Sequence, residues 1–294
     1  MKGAFTMQDK IHAFQQRKRR VETMIILGGL SMVISAALFV FTSAPGILVF
    51  GLLIVGAITL FFGYSSYTTI QDDFKAHVLK DILEDSVEGG DYRPGMGLET
   101  TQVYQTECLA MADEMKTEDF LSGAIDGVSF ISSDVRLSNY QTVSTGKTTT
   151  RVLTPYFTGR VFSFDFNKTF KGRVFVMEKG GPKSQYDTEK VELESHDFND
   201  TFKTYSTDPH TAFYVLTPQI INGLLKIEKN HPGELAFSFI GTKLHVTINN
   251  NLDTFELNMF RPLNEDAIKA FKSDLDIFKD IVTTLKLNRK IFVD

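Results

Sequence analysis

Hydrophobic positions are distributed very unevenly along the chain. No residue between Thr23 and Gln71 is charged, and within that block Met24 to Phe41 and Ile47 to Tyr64 are almost wholly apolar. Each run has about 18 residues, close to the ~20 that an α-helix needs to cross the hydrocarbon core of a bilayer. The Pro45-Gly46 dipeptide between them favours a turn. The pattern therefore predicts two transmembrane helices joined as a tight hairpin.

After this block the apolar positions recur at the periods of ordinary helices and strands. One apolar helical face predicts that the second span continues as a stalk helix from Asp72 to Ser86. The glycine-rich stretch 89–97 predicts a loop. A short helix is predicted from Val103 to Met115, and Thr217 followed by Pro218 predicts a helix that ends near His231.

Alternating apolar and aromatic positions predict strands separated by short polar turns, which is typical of an antiparallel sheet. The predicted strands are Val128 to Tyr140, Pro155 to Phe166, Arg173 to Glu178, Leu235 to Ile240 and Lys243 to Asn249. A last helix is predicted from Asn264, with apolar residues alternately three and four positions apart. This spacing fits an amphipathic helix that closes the chain's own sheet, or a short coiled-coil seam for a partner.

These elements predict the α+β class: an N-terminal transmembrane helical hairpin, then a mostly antiparallel sheet domain with a C-terminal amphipathic helix. The predicted organisation is a basic, amphipathic N-terminal segment at 1–22, the two-helix hairpin at 23–67, a stalk helix and loop at 68–97, and a soluble α+β domain at 98–294.

Charge sets the predicted orientation. Six basic and two acidic residues precede the apolar block, a net charge of +4, so the remainder carries −9 of the total −5. The run Arg17-Lys18-Arg19-Arg20 adjoins the first span, and the positive-inside rule therefore puts both termini in the cytoplasm. A cleaved signal peptide is disfavoured because a second span follows at once. The acidic soluble part is a poor binder of nucleic acid.

The sequence leaves two packing questions open. Met7, Ile11 and Phe14 recur at helical spacing, which fits either a helix in the membrane interface or an extension of the first span. Small residues within the spans favour close helix packing, either between the arms of the hairpin or in a homo-oligomer. These residues are Ser31, Ser35, Gly51 and Gly56.

Candidate chemistry is sparse. Glu192, Glu194 and His196 alternate, so on a strand they would share one face and could hold zinc or manganese; a solvated strand edge shows the same alternation. Gly146-Lys147-Thr148 resembles the end of a phosphate-binding loop, but Gln141 stands where the first glycine belongs, and a hairpin turn is predicted instead. Cys108, the sole cysteine, is predicted to be a small buried residue, and no cofactor is predicted.

Several blocks of the soluble part, in their order, resemble an uncharacterised family of bacterial membrane proteins, a domain of unknown function. They are 157–166 (FTGRVFSFDF), 170–173 (FKGR), Leu193-Glu194 with Phe198, Phe202, Tyr205 and Ser206, and 214–218 (YVLTP). The resemblance covers roughly Thr117 to Leu287. It implies a bacterial inner-membrane protein with paired transmembrane helices before the domain, and it brings no catalytic residues; His196 lies outside its pattern.

The predicted function is a non-enzymatic interaction module that is held at the cytoplasmic face of the membrane and binds a protein or small ligand. The alternative is a metal-assisted hydrolase that uses Glu192, Glu194 and His196. The predicted partners are the lipid bilayer, contacted by the two spans, and a protein partner or a second copy of the chain.

Overall fold

The computed structural model describes residues 7–42, 44–146, 148–166, 169–252, 255–273 and 275–287. It divides into two compact units. The anchor unit comprises residues 1–81 and 256–271, and the sheet unit comprises residues 82–255 and 272–294. The chain therefore passes from one unit to the other after Asp81, after Phe255 and after Phe271.

The anchor unit is built on long helices. Helix α1, Met7–Phe41, runs without a break from the basic segment through the first predicted span, which favours the reading of that segment as an extension of the span. Helix α2, Gly46–Phe74, continues through a π-helical turn at Lys75–Leu79 into α3, Lys80–Glu84. Among the described residues, two helices, Lys10–Phe41 and Gly46–Glu84, are long and apolar enough to cross a membrane.

The surface of the hairpin suits lipid, because large apolar side chains are exposed along both helices. Val33 is 65% exposed, Phe39 71% and Phe61 70%. Water would penalise so much exposed apolar area, whereas hydrocarbon does not. The α+β architecture with two N-terminal apolar helices is thus confirmed.

Small residues bring the arms of the hairpin together. The Ser31 hydroxyl donates to the Leu52 carbonyl at 2.9 Å, and the Ser35 hydroxyl donates to the Val49 carbonyl at 2.6 Å. A Cβ added to Gly56 would lie only 2.9 Å from the Gly28 carbonyl oxygen. Intramolecular packing therefore explains these positions, whereas a Cβ at Gly51 would meet nothing within 4 Å.

The sheet unit contains one antiparallel sheet, to which the described residues contribute nine strands in the order β1-β2-β3-β4-β9-β8-β5-β7-β6. The strands are β1 Glu88–Arg93, β2 Glu114–Ile125, β3 Val128–Ser144, β4 Thr149–Asp165, β5 Val174–Met177, β6 Glu189–Val191, β7 Lys203–Ser206, β8 Glu234–Ile240 and β9 Lys243–Asn249.

Shorter helices accompany the sheet: α4 Thr100–Tyr104, α5 His196–Thr201, α6 Pro209–Val215, α7 Pro218–Asn230, α8 Glu265–Ser273 and α9 Asp276–Thr284. Helix α7 begins as predicted, because the Thr217 side chain caps it by accepting from the Ile220 N–H. Helix α9 supplies Phe278, whose ring centre lies 4.9 Å from those of Phe130 and Phe162. These buried aromatic rings form part of the core over the centre of the sheet.

The predicted C-terminal helix is two helices, α8 and α9, that serve different units. Phe271 on α8 belongs to the anchor unit, where its ring centre lies 5.5 Å from that of Phe74. Phe278 on α9 belongs to the sheet unit. The regular spacing of apolar residues in this part of the chain therefore arises from the buried faces of two separate helices, not from one continuous helix.

Two other predictions were wrong. The predicted helix from Val103 to Met115 stops at Tyr104, and β2 already begins at Glu114. The glycine-rich stretch 89–97 is not all loop, because Glu88–Arg93 forms the edge strand β1. Glycine is needed there for close approach: a Cβ on Gly90 would lie 2.7 Å from the Glu84 Cα atom.

Candidate functional site

The ends of β3 and β4 form a two-stranded ribbon, residues 139–154. Strand β2 pairs with β3 only as far as Ser138, and β9 pairs with β4 only from Gly159 onwards. Between these limits β3 and β4 pair with each other, from Asn139↔Thr154 to Ser144↔Thr149. The two outer edges of the ribbon therefore have no neighbouring strand among the described residues.

A turn joins the strands of the ribbon at Gly146-Lys147-Thr148. The Thr145 N–H donates to the Thr148 carbonyl at 3.0 Å, and Gly146 has a φ of 76°. The predicted hairpin turn is thereby confirmed, although Lys147 itself lies outside the described residues. A left-handed φ is readily adopted by glycine, which explains its presence in the turn.

The ribbon displays apolar side chains and the side chain of Arg151 to solvent. Tyr140 is 49% exposed, Val143 46% and Val152 44%. The Arg151 guanidinium carbon lies 5.2 Å from the centre of the Tyr140 ring. Residues 139–154 include Lys147 and Arg151 but no Asp or Glu, in a chain whose net charge is −5. The residues of the ribbon itself therefore carry only positive charge, although the carboxylate of Asp113, just before β2, accepts from the Tyr140 N–H at 2.9 Å.

A cluster of buried polar side chains lies in the sheet unit and is centred on Arg160 of β4. Its guanidinium donates to Asp134 Oδ1 at 3.0 Å and to the Asp119 carbonyl at 2.8 Å, and it lies 4.6 Å from the centre of the Phe255 ring. The Tyr92 hydroxyl donates to Asp119 Oδ1. Burial, followed by the Asp119 charge, raises the pKa of Tyr92. All these polar residues are at most 6% exposed, so the cluster joins strands β1 to β4 rather than facing a ligand.

Ser163 and His245 form the pair most similar to a nucleophile and its base. Ser163 Oγ lies 2.6 Å from His245 Nδ1, across the β4–β9 pairing. Their exposures are only 4% and 3%. Burial lowers the pKa of His245 to about 4, so the ring is neutral at physiological pH. A substrate has no access to this pair, and its hydrogen bond is explained as satisfaction of buried polar groups.

Cys108 lies at a small cleft of about 200 Å³ in the sheet unit. Its lining includes the apolar Met177 and Leu235 as well as the charged Lys179, Lys183 and Glu234. Burial raises the pKa of the Cys108 thiol to about 12, so it is not a thiolate at neutral pH. The prediction of a small buried cysteine is confirmed, and the cleft is smaller than the ~300 Å³ at which small-molecule sites usually begin.

The candidate metal ligands do not share a strand face. Strand β6 ends at Val191, Glu192 and Glu194 lie in the following loop, and His196 is the first residue of α5. Glu192 pairs with Lys190 at 3.0 Å, and His196 lies 3.6 Å from Asp200 one helical turn on. The assumption of a continuous strand was wrong here, because a helix begins at His196, with Ser195 as its N-cap residue and the carboxylate of Asp197 in its first turn.

The base of the hairpin is enclosed by a segment from the far end of the chain, residues 256–263, here called the collar. The Tyr67 hydroxyl donates to the Leu257 carbonyl, and Lys75 forms an ion pair with Glu256. On α1, the Phe260 N–H donates to Glu22 at 2.7 Å. Beyond it the Leu263 N–H donates to the Gln15 side chain.

The collar buries one residue of the basic run Arg17-Lys18-Arg19-Arg20 and leaves the other three exposed. Lys18 is only 1% exposed, because its ammonium group pairs with Glu22 and donates to the Arg261 carbonyl at 2.6 Å. Arg17 pairs with Asp73 at 3.0 Å and remains exposed, as do Arg19 and Arg20. Pro45 precedes α2 with an extended backbone, and Gly46 is the first residue of that helix. Their assignment as topology determinants stays a prediction.

Sequence reasoning missed the ribbon, the Arg160 cluster and the collar. The ribbon had a local signal, since Tyr140 to Leu153 carries strand-forming residues on both sides of a glycine turn. The collar had none, because its hydrogen-bond partners on the hairpin lie 190 to 248 positions away in the sequence. Such long-range contacts leave no periodic trace in a single sequence.

The structure thus defines a class of protein, an α+β domain attached to an apolar helical hairpin. Residues 155–287 match the family described as protein of unknown function (DUF3137). This match confirms a domain of unknown function over the C-terminal part of the resemblance seen in the sequence. No curated protein matches the chain.

One solved structure is similar: the crystal structure of the mycobacterial trehalose monomycolate transport factor A, TtfA. It is 11% identical, covers 70% of this chain and 93% of that chain, and gives a TM-score of 0.38. A similarity this low carries no inference about function.

Proposed function

We propose that this protein is a membrane-anchored interaction module of the bacterial inner membrane, with both termini in the cytoplasm, and that its ribbon binds a protein partner. The observation that carries the proposal is the ribbon, a paired extension of β3 and β4 whose outer edges lack neighbouring strands among the described residues. An isolated two-stranded hairpin is only marginally stable in water, and open strand edges pair readily with another chain.

The chemistry of the ribbon specifies the partner. An extended segment that adds a strand to one edge would gain main-chain hydrogen bonds, and exposed Tyr140, Val143 and Val152 would contact its side chains. Lys147 and Arg151 favour acidic side chains on that segment. The proposed partner is therefore a protein with an extended, acidic segment.

The proposed topology is supported by charge. Arg17, Arg19 and Arg20 remain exposed beside the first span, and the connection at 42–45 has no charged residue. Positive charge is retained on the cytoplasmic side, so a two-helix hairpin returns the sheet unit to that side. A Thr42→Cys variant should react with a membrane-impermeant maleimide only from the outer side, and Thr142→Cys only from the inner side.

Site-specific photo-crosslinking of the full chain in native membranes tests the partner. A photoreactive phenylalanine analogue at Tyr140 should give a discrete heteromeric adduct, while the same analogue at Phe213, which is similarly exposed at 54%, should not. Reversing the ribbon's charge with Lys147→Glu and Arg151→Glu should lower the yield about tenfold or more, because like charges then face each other.

Lys226→Glu with Lys229→Glu is the matched control, since both lysines are exposed on α7. It should leave the adduct unchanged. An adduct with a second copy of the chain would assign the ribbon to self-association instead, and equal adducts from Tyr140 and Phe213 would contradict the proposal.

A further inference from the structure

The collar contacts α1 just before the first apolar run begins and α2 just after the second apolar run ends. Glu22, which accepts from the Phe260 N–H, immediately precedes the uncharged block that starts at Thr23. Tyr67, which donates to the Leu257 carbonyl, follows three residues after the second apolar run. A residue adds only ~1.5 Å along a helix, so these contacts fall within a few ångströms of the ends of both spans.

The collar exposes an aromatic side chain at this level. Phe260 is 55% exposed, whereas Leu257 and Leu263 on either side of it are 6% and 4% exposed. Phe260 also has a φ of 61°, a backbone conformation that is strained for a bulky side chain. Aromatic residues are favoured at the boundary between headgroups and acyl chains, which would accommodate an apolar ring that water does not.

Exposed arginine side chains lie on the collar and on the neighbouring part of α1. Arg261 is exposed, and its carbonyl accepts from Lys18 between the exposed Arg17 and Arg19 of α1. Lys18 itself is neutralised by Glu22, so it does not contribute a free charge. The collar therefore brings one more arginine, Arg261, to the basic run from the other end of the sequence.

We propose that the collar is a third membrane-contacting element, in which Phe260 enters the interface of the cytoplasmic leaflet and Arg261, with Arg19 and Arg20, binds the headgroups of anionic phospholipids. Guanidinium groups form paired hydrogen bonds with phosphate oxygens, and a basic cluster beside a span attracts anionic lipid. This proposal rests on the proposed membrane anchoring.

Fluorescence of a single tryptophan tests the depth of the collar, because the chain has no native Trp. The full chain carrying Phe260→Trp is reconstituted into vesicles that contain phospholipids brominated on their acyl chains. Quenching should be several-fold stronger than for Phe213→Trp, a control of nearly equal exposure on α6. If Phe260→Trp does not assemble, Asn258→Trp on the same exposed segment is the reporter.

Phe39→Trp, within the first span, separates the two proposals. Strong quenching at Phe39→Trp with none at the collar overturns the collar proposal and leaves the anchoring intact. No quenching at either position contradicts both proposals.

The lipid preference is tested in vesicles of equal neutral and anionic phospholipid, with bromine on one class at a time. The preference is the ratio of the quenching of the collar tryptophan by brominated anionic lipid to its quenching by brominated neutral lipid. Arg261→Ala should lower this ratio about fivefold. Arg136→Ala, at an exposed position of β3, should leave it unchanged. If the two lipid classes quench the collar tryptophan equally in the chain that retains Arg261, the proposal that Arg261 binds anionic headgroups is overturned.

Discussion

Long cations are buried in both units among the described residues, and Lys18 of the anchor unit and Arg160 of the sheet unit are held in different ways; Lys75, which pairs with Glu256, is also buried in the anchor unit. Lys18 in the anchor unit is 1% exposed, and its partners are a carboxylate one turn along the same helix and a single carbonyl of the collar. Arg160 in the sheet unit is 4% exposed and contacts groups from β2 and β3 as well as the Phe255 ring.

This difference determines which part of the molecule each cation can stabilise. A guanidinium is a planar group with five donors, so Arg160 can join strands that meet only in the folded sheet. An ammonium group is a compact charge, and Glu22 would face Lys18 in the isolated helix as well. Arg160 should therefore support the whole sheet unit, whereas Lys18 should mainly hold the collar on α1.

The largest expected effect is that of Arg160→Met. It leaves the Asp134 carboxylate buried without its cation, which typically costs about 3–5 kcal/mol. Chemical denaturation of the detergent-solubilised chain, followed by near-ultraviolet circular dichroism, should show this loss. Adding Asp134→Leu should recover much of it, since the uncompensated charge is removed. A double variant no more stable than the single one would contradict the assignment of the cost to Asp134.

Acidification should weaken the sheet unit next most strongly. The pKa of His245 is lowered from 6.5 to about 4 in the folded chain, so between these values the unfolded chain binds the extra proton. Stability is therefore full above pH 6.5 and falls as the pH decreases towards 4. By linkage the loss from pH 7 to pH 5 is about 2 kcal/mol. His245→Gln should flatten this dependence in denaturation measured at both pH values; an unchanged slope would refute the role of His245.

Lys18→Met should have a smaller effect, limited to the collar. It removes the bonds to Glu22 and to the Arg261 carbonyl, at a cost of about 1–2 kcal/mol. Amide hydrogen exchange of residues 257–263 should accelerate, while that of the sheet is unchanged. Arg19→Met, at an exposed neighbouring position, is the control. Faster exchange throughout the sheet would break the proposed contrast between the two cations.

The smallest effect is expected at an exposed ion pair, which gives the baseline for the comparison. His196 and Asp200 side chains are 89% and 67% exposed. His196→Ala should change stability by less than about 0.5 kcal/mol. Metal analysis of the purified chain before and after the substitution should show no difference. A stoichiometric ion lost with His196 would revive the hydrolase alternative.

Local patterns predicted the elements whose residues determine them locally. The Thr217-Pro218 start of α7 and the hairpin β8–β9 at Gly241-Thr242 are examples, because the cap and the turn are formed by neighbouring residues. The apolar runs likewise predicted the long helices, since the length of a span is a local property.

Elements that depend on distant partners were missed. Strand β1 has the composition of a loop, and its pairing with β2 is supported by the buried Tyr92 and its bond to Asp119. The candidate sites have the same limitation. Tyr140 and Arg151 suggest a hairpin, but only the pairing limits of β2 and β9 show that the hairpin is an open ribbon.

The position of the collar in the sequence has a consequence for biosynthesis. About 190 residues separate the second span from the collar, and at roughly 5–20 residues per second their translation takes about 10–40 s. During that time the hairpin is already available for membrane insertion, whereas Lys18 and Glu22 lack their collar partners. Before the collar is made, Glu22 can already pair with Lys18 on α1, but the Arg261 carbonyl cannot yet accept from the ammonium group. In the proposed topology, the collar would therefore withdraw Lys18 from solvent only after the hairpin has been inserted and oriented.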